Sequence, residues 1–290
     1  MRAARLTITA VDEYWARQSA IAATGFATSV IGCALEAGIE GISPSTPDGR
    51  PGIDCLFFAT SKDGLESNLI NRIGQCILTA PSTACFAAPL PEFDPMDPGL
   101  SKNSNIGRDL RYFGDGYQAS KLVSGARYWR IPVMDGEFLL QEEFILAKAV
   151  GGGNFLILAK NEDSALNAAK AAVTKMREIR GVILPFPGGV VRSGSKVGSK
   201  YKFMNASTNT AYCPTIRGRV DDSQLPEDVN SVLEIVIDGL TAELVGKAME
   251  KGIREAVRTP GVVSITAGNY GGKLGKHHFH LHQLLGGEAE

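Results

Sequence analysis

Glu234 stands in the middle of an otherwise apolar run, Ser231–Asp238 (SVLEIVID). On a strand, side chains alternate between faces, so Val232 and Val236 share the glutamate's face while Leu233 and Ile235 point the other way. A carboxyl with apolar neighbours on both faces is poorly hydrated, which raises its pKa and favours the neutral acid. A neutral carboxylic acid donates a hydrogen bond, and a donor aimed at a developing oxyanion is a catalytic device. The competing reading is a glutamate paired with a cation on an edge strand.

A second chemical feature is Pro185–Lys200, PFPGGVVRSGSKVGSK, with four glycines, three serines, two lysines and an arginine. Backbone amides freed by Gly188 and Gly189, with Ser193, Ser195, Lys196, Ser199 and Lys200, suit a carboxylate or phosphate. The bland alternative is a mobile surface hairpin. The order GxxxxGSK from Gly189 to Lys196 is not the GxxxxGK[ST] of a nucleotide loop, and no helical pattern follows it. A second loop, Gly268–Lys276 (GNYGGKLGK), has the same character and adds Asn269, Gly271 and Lys273. Gly151-Gly152-Gly153-Asn154 is a weaker third. None of the three reads GxGxxG, so no dinucleotide fold is expected.

All four histidines fall in one tail, HHFHLH at 277–282. Alternation along a strand would put His278, His280 and His282 on one face, within reach of a metal ion. Ligand sets usually draw on more than one element, so a structural or substrate-edge role is the stronger reading and no metal site is assigned. A serine or cysteine nucleophile paired with histidine would have to use this same tail.

Three strand–helix units position these residues. Ile53–Thr60 reads as a strand, followed by a helix from about Asp63, with Asp63 and Glu66 at capping-box spacing and Leu65, Leu69, Ile70, Ile73 and Ile77 as its stripe. Asn154–Lys160 is a second strand, with a helix from Asp163 to Ile179 that presents Leu166, Ala169, Val173 and Met176 and stops at Gly181. Val232–Ile237 is the third. Thr241 caps its helix, whose face carries Leu244, Val245, Ala248, Met249, Ile253 and Val257 before Pro260-Gly261. A short β-branched run such as Val262–Thr266 follows. The repeated plan predicts an α+β fold of two similar lobes, each of ferredoxin-like split βαβ type, with a doubly wound sheet as the alternative. The lobes are expected over 1–147 and 148–290. Ala87–Asn105, with four prolines, reads as a surface loop.

Bulk composition excludes several classes. Thirty basic against 31 acidic residues leave no field to draw nucleic acid or an anionic membrane. Five scattered cysteines without a CxxC pair suit reduced thiols and a cytoplasmic setting. The longest apolar stretch, Ala149–Ala159, is short of the ~20 residues that span a bilayer. Asp12 and Glu13 arrive before any signal-peptide core could form.

The motifs TPDGRPG (Thr46–Gly52), IGQC, FGDG, GGGN, PFPGG, SKVGSK, ASTN, YCPT, EIVIDGL and AGNYGGKLG run in this order over nearly the whole chain. Together they resemble the formylmethanofuran:tetrahydromethanopterin formyltransferases. The resemblance implies transfer of a formyl group between the amine of a methanofuran-type carrier and N5 of tetrahydromethanopterin. It implies no permanently bound cofactor, and a homo-oligomer, dimer or tetramer, with its cleft at a subunit contact. It also implies that the family's active-site glutamate is Glu234, and it adds Asn209 (ASTN) and Tyr212 (YCPT) to the substrate-binding candidates. Family members carry a further segment ahead of the one resembling Arg2–Ala10, which this sequence lacks; the resemblance implies that an N-terminal strand or helix is missing here or that the start is shifted. The near-neutral charge, RYWRIPVMDGEF and VVRSGSKVGSKYK resemble the bacterial branch, where the enzyme is one subunit of a formyltransferase/hydrolase complex. A non-catalytic, carrier-binding scaffold subunit is the alternative function.

Overall fold

Alternation and helical stripes are realised as two large sheets with helices packed on them, beside a two-stranded hairpin, in an α+β fold. The computed structural model describes residues 1–93, 100–268 and 277–286. In chain order the first part holds β1 (Arg2–Thr9), α1 (Glu13–Thr24), the short α2 (Val30–Cys33), β2 (Glu36–Ile42), β3 (Gly52–Ala59), α3 (Lys62–Arg72) and β4 (Ala84–Ala87). Then follow β5 (Leu100–Ser104), α4 (Ile106–Leu110), β6 (Ala119–Val123), β7 (Ala126–Val133), β8 (Gly136–Gln141) and β9 (Phe144–Lys148). The second part holds β10 (Val150–Ala159), α5 (Glu162–Met176), β11 (Val182–Ile183), β12 (Ser195–Val197) and β13 (Ala206–Thr208). It ends with β14 (Ser231–Gly239), α6 (Ala242–Ala256), β15 (Val262–Thr266) and α7 (Leu281–Leu284).

The first sheet runs β2-β3-β1-β4-β8-β7-β6, and β9 pairs with β1 and β5. The second runs β11-β14-β10-β15. The first four strands along the first sheet, counted from its β2 edge, have the order second-third-first-fourth, and the second sheet repeats it. Each repeat therefore reads βαββαβ, the split βαβ plan. By its internal contacts the chain divides into two compact units. One comprises Met1–Gly151 with Arg180–Pro185 and Asp238–Thr241; the other comprises Gly152–Ile179, Phe186–Ile237 and Ala242–Glu290.

In the first unit Ala4, Leu6 and Ile8 of β1 and Ile53, Cys55 and Phe57 of β3 pack beneath Ala16, Ala20, Leu65 and Leu69 of the helices. The intervening residues face the other way, and that face is charged. Arg5 is 4% exposed and holds Glu40 through Nε at 2.8 Å and Nη2 at 2.7 Å, and Glu92 through Nη2 at 2.6 Å. Thr7 Oγ1 donates to Asp54 at 2.7 Å, across the register pair Thr7–Asp54. Arg180 Nη2 donates to Asp54, and the Gly181 N–H to Glu40. The charges are removed from water only because each has an opposite partner.

In the second unit α5 and α6 lie together on their sheet, and small residues set the spacing. Ala165, Ala168, Ala169 and Ala172 form the buried stripe of α5, while Leu166 is 49% exposed, contrary to the expected face. A side chain at Gly252 of α6 would overlap Met176 Sδ and meet Phe155 Cζ at 3.3 Å. Close approach therefore selects alanine and glycine where periodicity alone favoured leucine. Val257 lies one residue past α6 and is exposed.

Other local expectations change too. Ser61 caps α3, its Oγ accepting from the Gly64 N–H at 3.1 Å, so Asp63 sits in the first turn instead of forming a capping box. The helical stripe continues through a π-helical turn, Ile73–Ile77, which keeps Ile73 and Ile77 buried. Leu100–Ser104, placed in a loop by its prolines, pairs with β9. Gly151-Gly152-Gly153 is not a loop but the start of β10, where a side chain at Gly153 would overlap Val245. The histidine tail is no strand: 277–280 are irregular and Leu281–Leu284 is helical, so the three-imidazole face does not form.

Arg5→Met leaves Glu40 and Glu92 buried without their shared cation. It is expected to lower the unfolding free energy by roughly 3–5 kcal/mol, toward the low end because Arg180 still reaches Glu40, as measured by urea denaturation.

Candidate active site

Glu234 sits on an interior strand, β14, between β11 and β10. Its N–H donates to the Val191 carbonyl at 2.9 Å and its carbonyl accepts from the Val191 N–H at 2.7 Å. The edge-strand reading is therefore excluded. Ile237 lies on the helix side, with Val245 near Gly153, so alternation sends Glu234 and Val232 to the opposite face. On that face Tyr212, Leu225, Val232 and Val263 pack around Leu156, Leu158 and Val229.

The Glu234 residue is 8% exposed, and burial pushes its carboxyl up to about 7. No ion pair offsets that burial among the described residues. At neutral pH the group thus divides between a hydrogen-bond donor and a carboxylate.

From Val191 the chain enters the β12–β13 hairpin, with register Ser195–Thr208, Lys196–Ser207 and Val197–Ala206. Gly188 and Gly189, at φ 66 and 85°, make the 3₁₀ turn before it, a backbone that side-chain-bearing residues rarely adopt. The Asn209 N–H donates to the Gly194 carbonyl and closes the hairpin's base. Lys196 Nζ donates to Thr210 Oγ1 at 2.7 Å, so its ammonium is tied to the turn that leads to Tyr212. Ser199 Oγ accepts from the Tyr201 N–H at 3.0 Å, while Ser193 and Lys200 are exposed. The structure thus joins Val191 to Glu234, Ser195 and Lys196 to the Asn209 segment, and Tyr212 to the apolar patch beside Val232. It shows no direct bond from Ser193, Ser199 or Lys200 to Glu234. Asn269, Gly271 and Lys273 lie outside the described residues.

One residue beside the glutamate escaped the sequence reading: Val191 looks like an ordinary apolar residue until the bridge is seen. Asn154, read there as part of a weaker glycine loop, has another place: its Oδ1 accepts from the Gly268 N–H at 3.0 Å, tying the start of the second glycine loop to β10. Among the described residues, no three histidine, cysteine, aspartate or glutamate side chains cluster to hold a metal ion, and no helix is long and apolar enough to cross a membrane.

The profile of the formylmethanofuran-tetrahydromethanopterin formyltransferase family matches residues 1–133, and that of its proximal lobe matches 136–284. A formylmethanofuran–tetrahydromethanopterin formyltransferase of Methylococcus capsulatus is 54% identical, over 98% of this chain and 94% of that protein. The chain belongs to this formyltransferase family. The Methanocaldococcus jannaschii formyltransferase is 50% identical over 97% of the chain and 93% of that protein. The Methanosarcina barkeri enzyme structure superposes with a TM-score of 0.89 at 45% identity, covering 98% and 94% of the two chains. A chain of the formyltransferase/hydrolase complex of Methylorubrum extorquens, solved with methylofuran, gives 0.90 at 47% identity, covering 99% and 94%.

For this formyltransferase the raised acid has a stability consequence. Glu234 keeps its proton in the folded state where the unfolded chain has lost its own, so folding stability falls as pH rises from 4.5 to about 7 and then levels. Glu234→Gln has no proton to lose. Its urea midpoint relative to wild type should therefore rise across that window and stay higher above it; parallel pH curves would contradict the buried-acid assignment.

Proposed function

We propose that this chain moves a formyl group directly between the amine of a methanofuran-type carrier and N5 of tetrahydromethanopterin, with Glu234 as the acid. The accepting nitrogen attacks the formyl carbon and forms the new C–N bond, and the carbonyl electron pair moves to oxygen. The Glu234 hydroxyl donates a hydrogen bond to that oxyanion. Collapse restores the carbonyl, breaks the old C–N bond and leaves the departing nitrogen with the proton given up by the attacking one. No covalent enzyme intermediate and no permanently bound cofactor is required. The work is alignment, exclusion of water and one well-placed donor.

The observation that carries this reading is a largely buried glutamate, 8% exposed on an interior strand, with a carboxyl at about 7 and only burial as the cause. A structural glutamate is more commonly paired, and an unpaired buried one is a functional-site candidate. The neighbouring glycine- and lysine-rich segments supply docking groups for carriers that bear carboxylates and, for the pterin, a phosphate. Ser195, Lys196, Lys200, Asn209 and Tyr212 are the described residues assigned to that task, with Asn269 and Lys273 from the second loop. The high identity to formyltransferases and the likeness to a chain of a hydrolase complex solved with methylofuran support formyl transfer between carriers of these two classes. The likeness to a chain of that complex also supports work beside hydrolase subunits.

Glu234→Gln, in a folded protein, is expected to lower kcat by at least ~100-fold in a two-carrier spectrophotometric assay without added metal, the scale of losing one oxyanion donor. Wild-type kcat should fall above about pH 7 as the acid ionises. Near-wild-type turnover by the variant would rule out Glu234 as the acid. A wild-type chain that binds both carriers yet transfers nothing would favour a scaffold role.

A further inference from the structure

Asp54 and Glu234 occupy the same place in the two repeats. Each lies on the third strand of its repeat, eight residues before the first residue of the next helix, Lys62 or Ala242. Each is buried, and each projects from the face opposite the helices. Their partners differ. Asp54 accepts from Thr7 Oγ1 and from Arg180 Nη2, whereas among the described residues burial alone acts on Glu234. The first repeat thus uses its carboxylate as an anchor, and the anchored residue is Arg180.

Arg180 directly precedes the segment that flanks Glu234. Its other donor, Nη1, reaches the Ile42 carbonyl at 3.2 Å, and the next amide, Gly181, is held by Glu40. From there the chain follows β14 antiparallel: the Gly181 carbonyl accepts from Leu240 at 2.9 Å, Val182 pairs with Gly239 and Ile183 with Asp238. It rejoins the same strand at the Val191–Glu234 bridge. Between these points lies Leu184–Val190, opposite only Ile235–Ile237. Pro185 and Pro187 restrict this bulge ahead of its turn at Gly188-Gly189, so its far end depends on where its near end is pinned. Directly opposed residues of an antiparallel pair project to one face, which puts the buried Val191 side chain beside the Glu234 carboxyl.

We propose that Arg180 is a positioning residue for Glu234. By fastening Gly181 it sets the register of residues 181–191 on β14, and that register holds the Val191 bridge against the glutamate. Its consequence for turnover rests on Glu234 being the acid; its consequence for the bridge does not.

The test compares wild type, Arg180→Gln and Arg180→Lys by residue-resolved amide hydrogen exchange and steady-state kinetics. In Arg180→Gln, the Val191 and Glu234 amides are expected to exchange at least ~10-fold faster, while α6 and β7 amides keep their wild-type rates. kcat should drop roughly 10- to 100-fold with KM changed less than about threefold, the signature of a misplaced catalytic group. Arg180→Lys should restore part of both. Should Arg180→Gln not fold, Asp54→Asn, which removes the anchor's charge at constant shape, carries the same test. Unchanged exchange at Val191 and Glu234, or an equal rise in α6 and β7, overturns the proposal. A Glu234→Gln enzyme with normal turnover would remove the acid role and leave the exchange result standing.

Discussion

A carboxyl placed in the middle of a sheet strand and covered by packed residues has two ways to persist. It finds a cation and stays charged, or it stays unpaired and keeps its proton to higher pH. This chain uses both at one topological position. Asp54 takes the first course with Thr7 and Arg180, and Glu234 takes the second. Among the described residues burial alone acts on the Glu234 carboxyl, whereas a cation stands beside Asp54 on β3.

The βαββαβ plan explains why the comparison is possible. In both repeats the helices cover one face of the sheet, which leaves the alternate residues of the third strand pointing away from them. In the first repeat that other face carries Arg5, Glu40 and Asp54 and is closed by a dense ionic cluster. In the second it carries Leu156, Leu158, Val232 and Glu234, with Tyr212 from the long β11–β14 connection packed on it. An apolar cover without countercharge disfavours the ionised form of Glu234. That connection, through Tyr212, Leu225 and Val229, supplies the apolar cover on the face of Glu234.

The legibility of these features followed their range. Strands β3, β10 and β14 and the helices after them were visible because each is a local pattern, and Glu234 stood out as one charge in an apolar run. The same rule applied to Ile53–Ala59 flags Asp54, an aspartate in IDCLFFA, yet the spacing says nothing of Arg180, which lies 126 residues away. Leu166 and Val257 were placed on buried faces that the structure gives to alanines, because helix-to-helix distance is a three-dimensional quantity. The histidine tail and the glycine triple misled for a similar reason. Period two in HHFHLH needs a strand to act on, and GGG looks like a loop until Val245 is seen against Gly153.

The sequence by itself determined the α+β class, the repeated strand–helix units, the poorly hydrated glutamate and the family, since these rest on short-range periodicity and ordered motifs. Tertiary structure alone decided that β14 is an interior strand, that Val191 bridges Glu234, that Lys196 is tied to Thr210, and that Asp54 is paired with Arg180 while Glu234 meets no cation among the described residues. The physical reason is that hydration and ion pairing depend on what arrives from distant parts of the chain. Local pattern shows only that a charge is poorly placed for water.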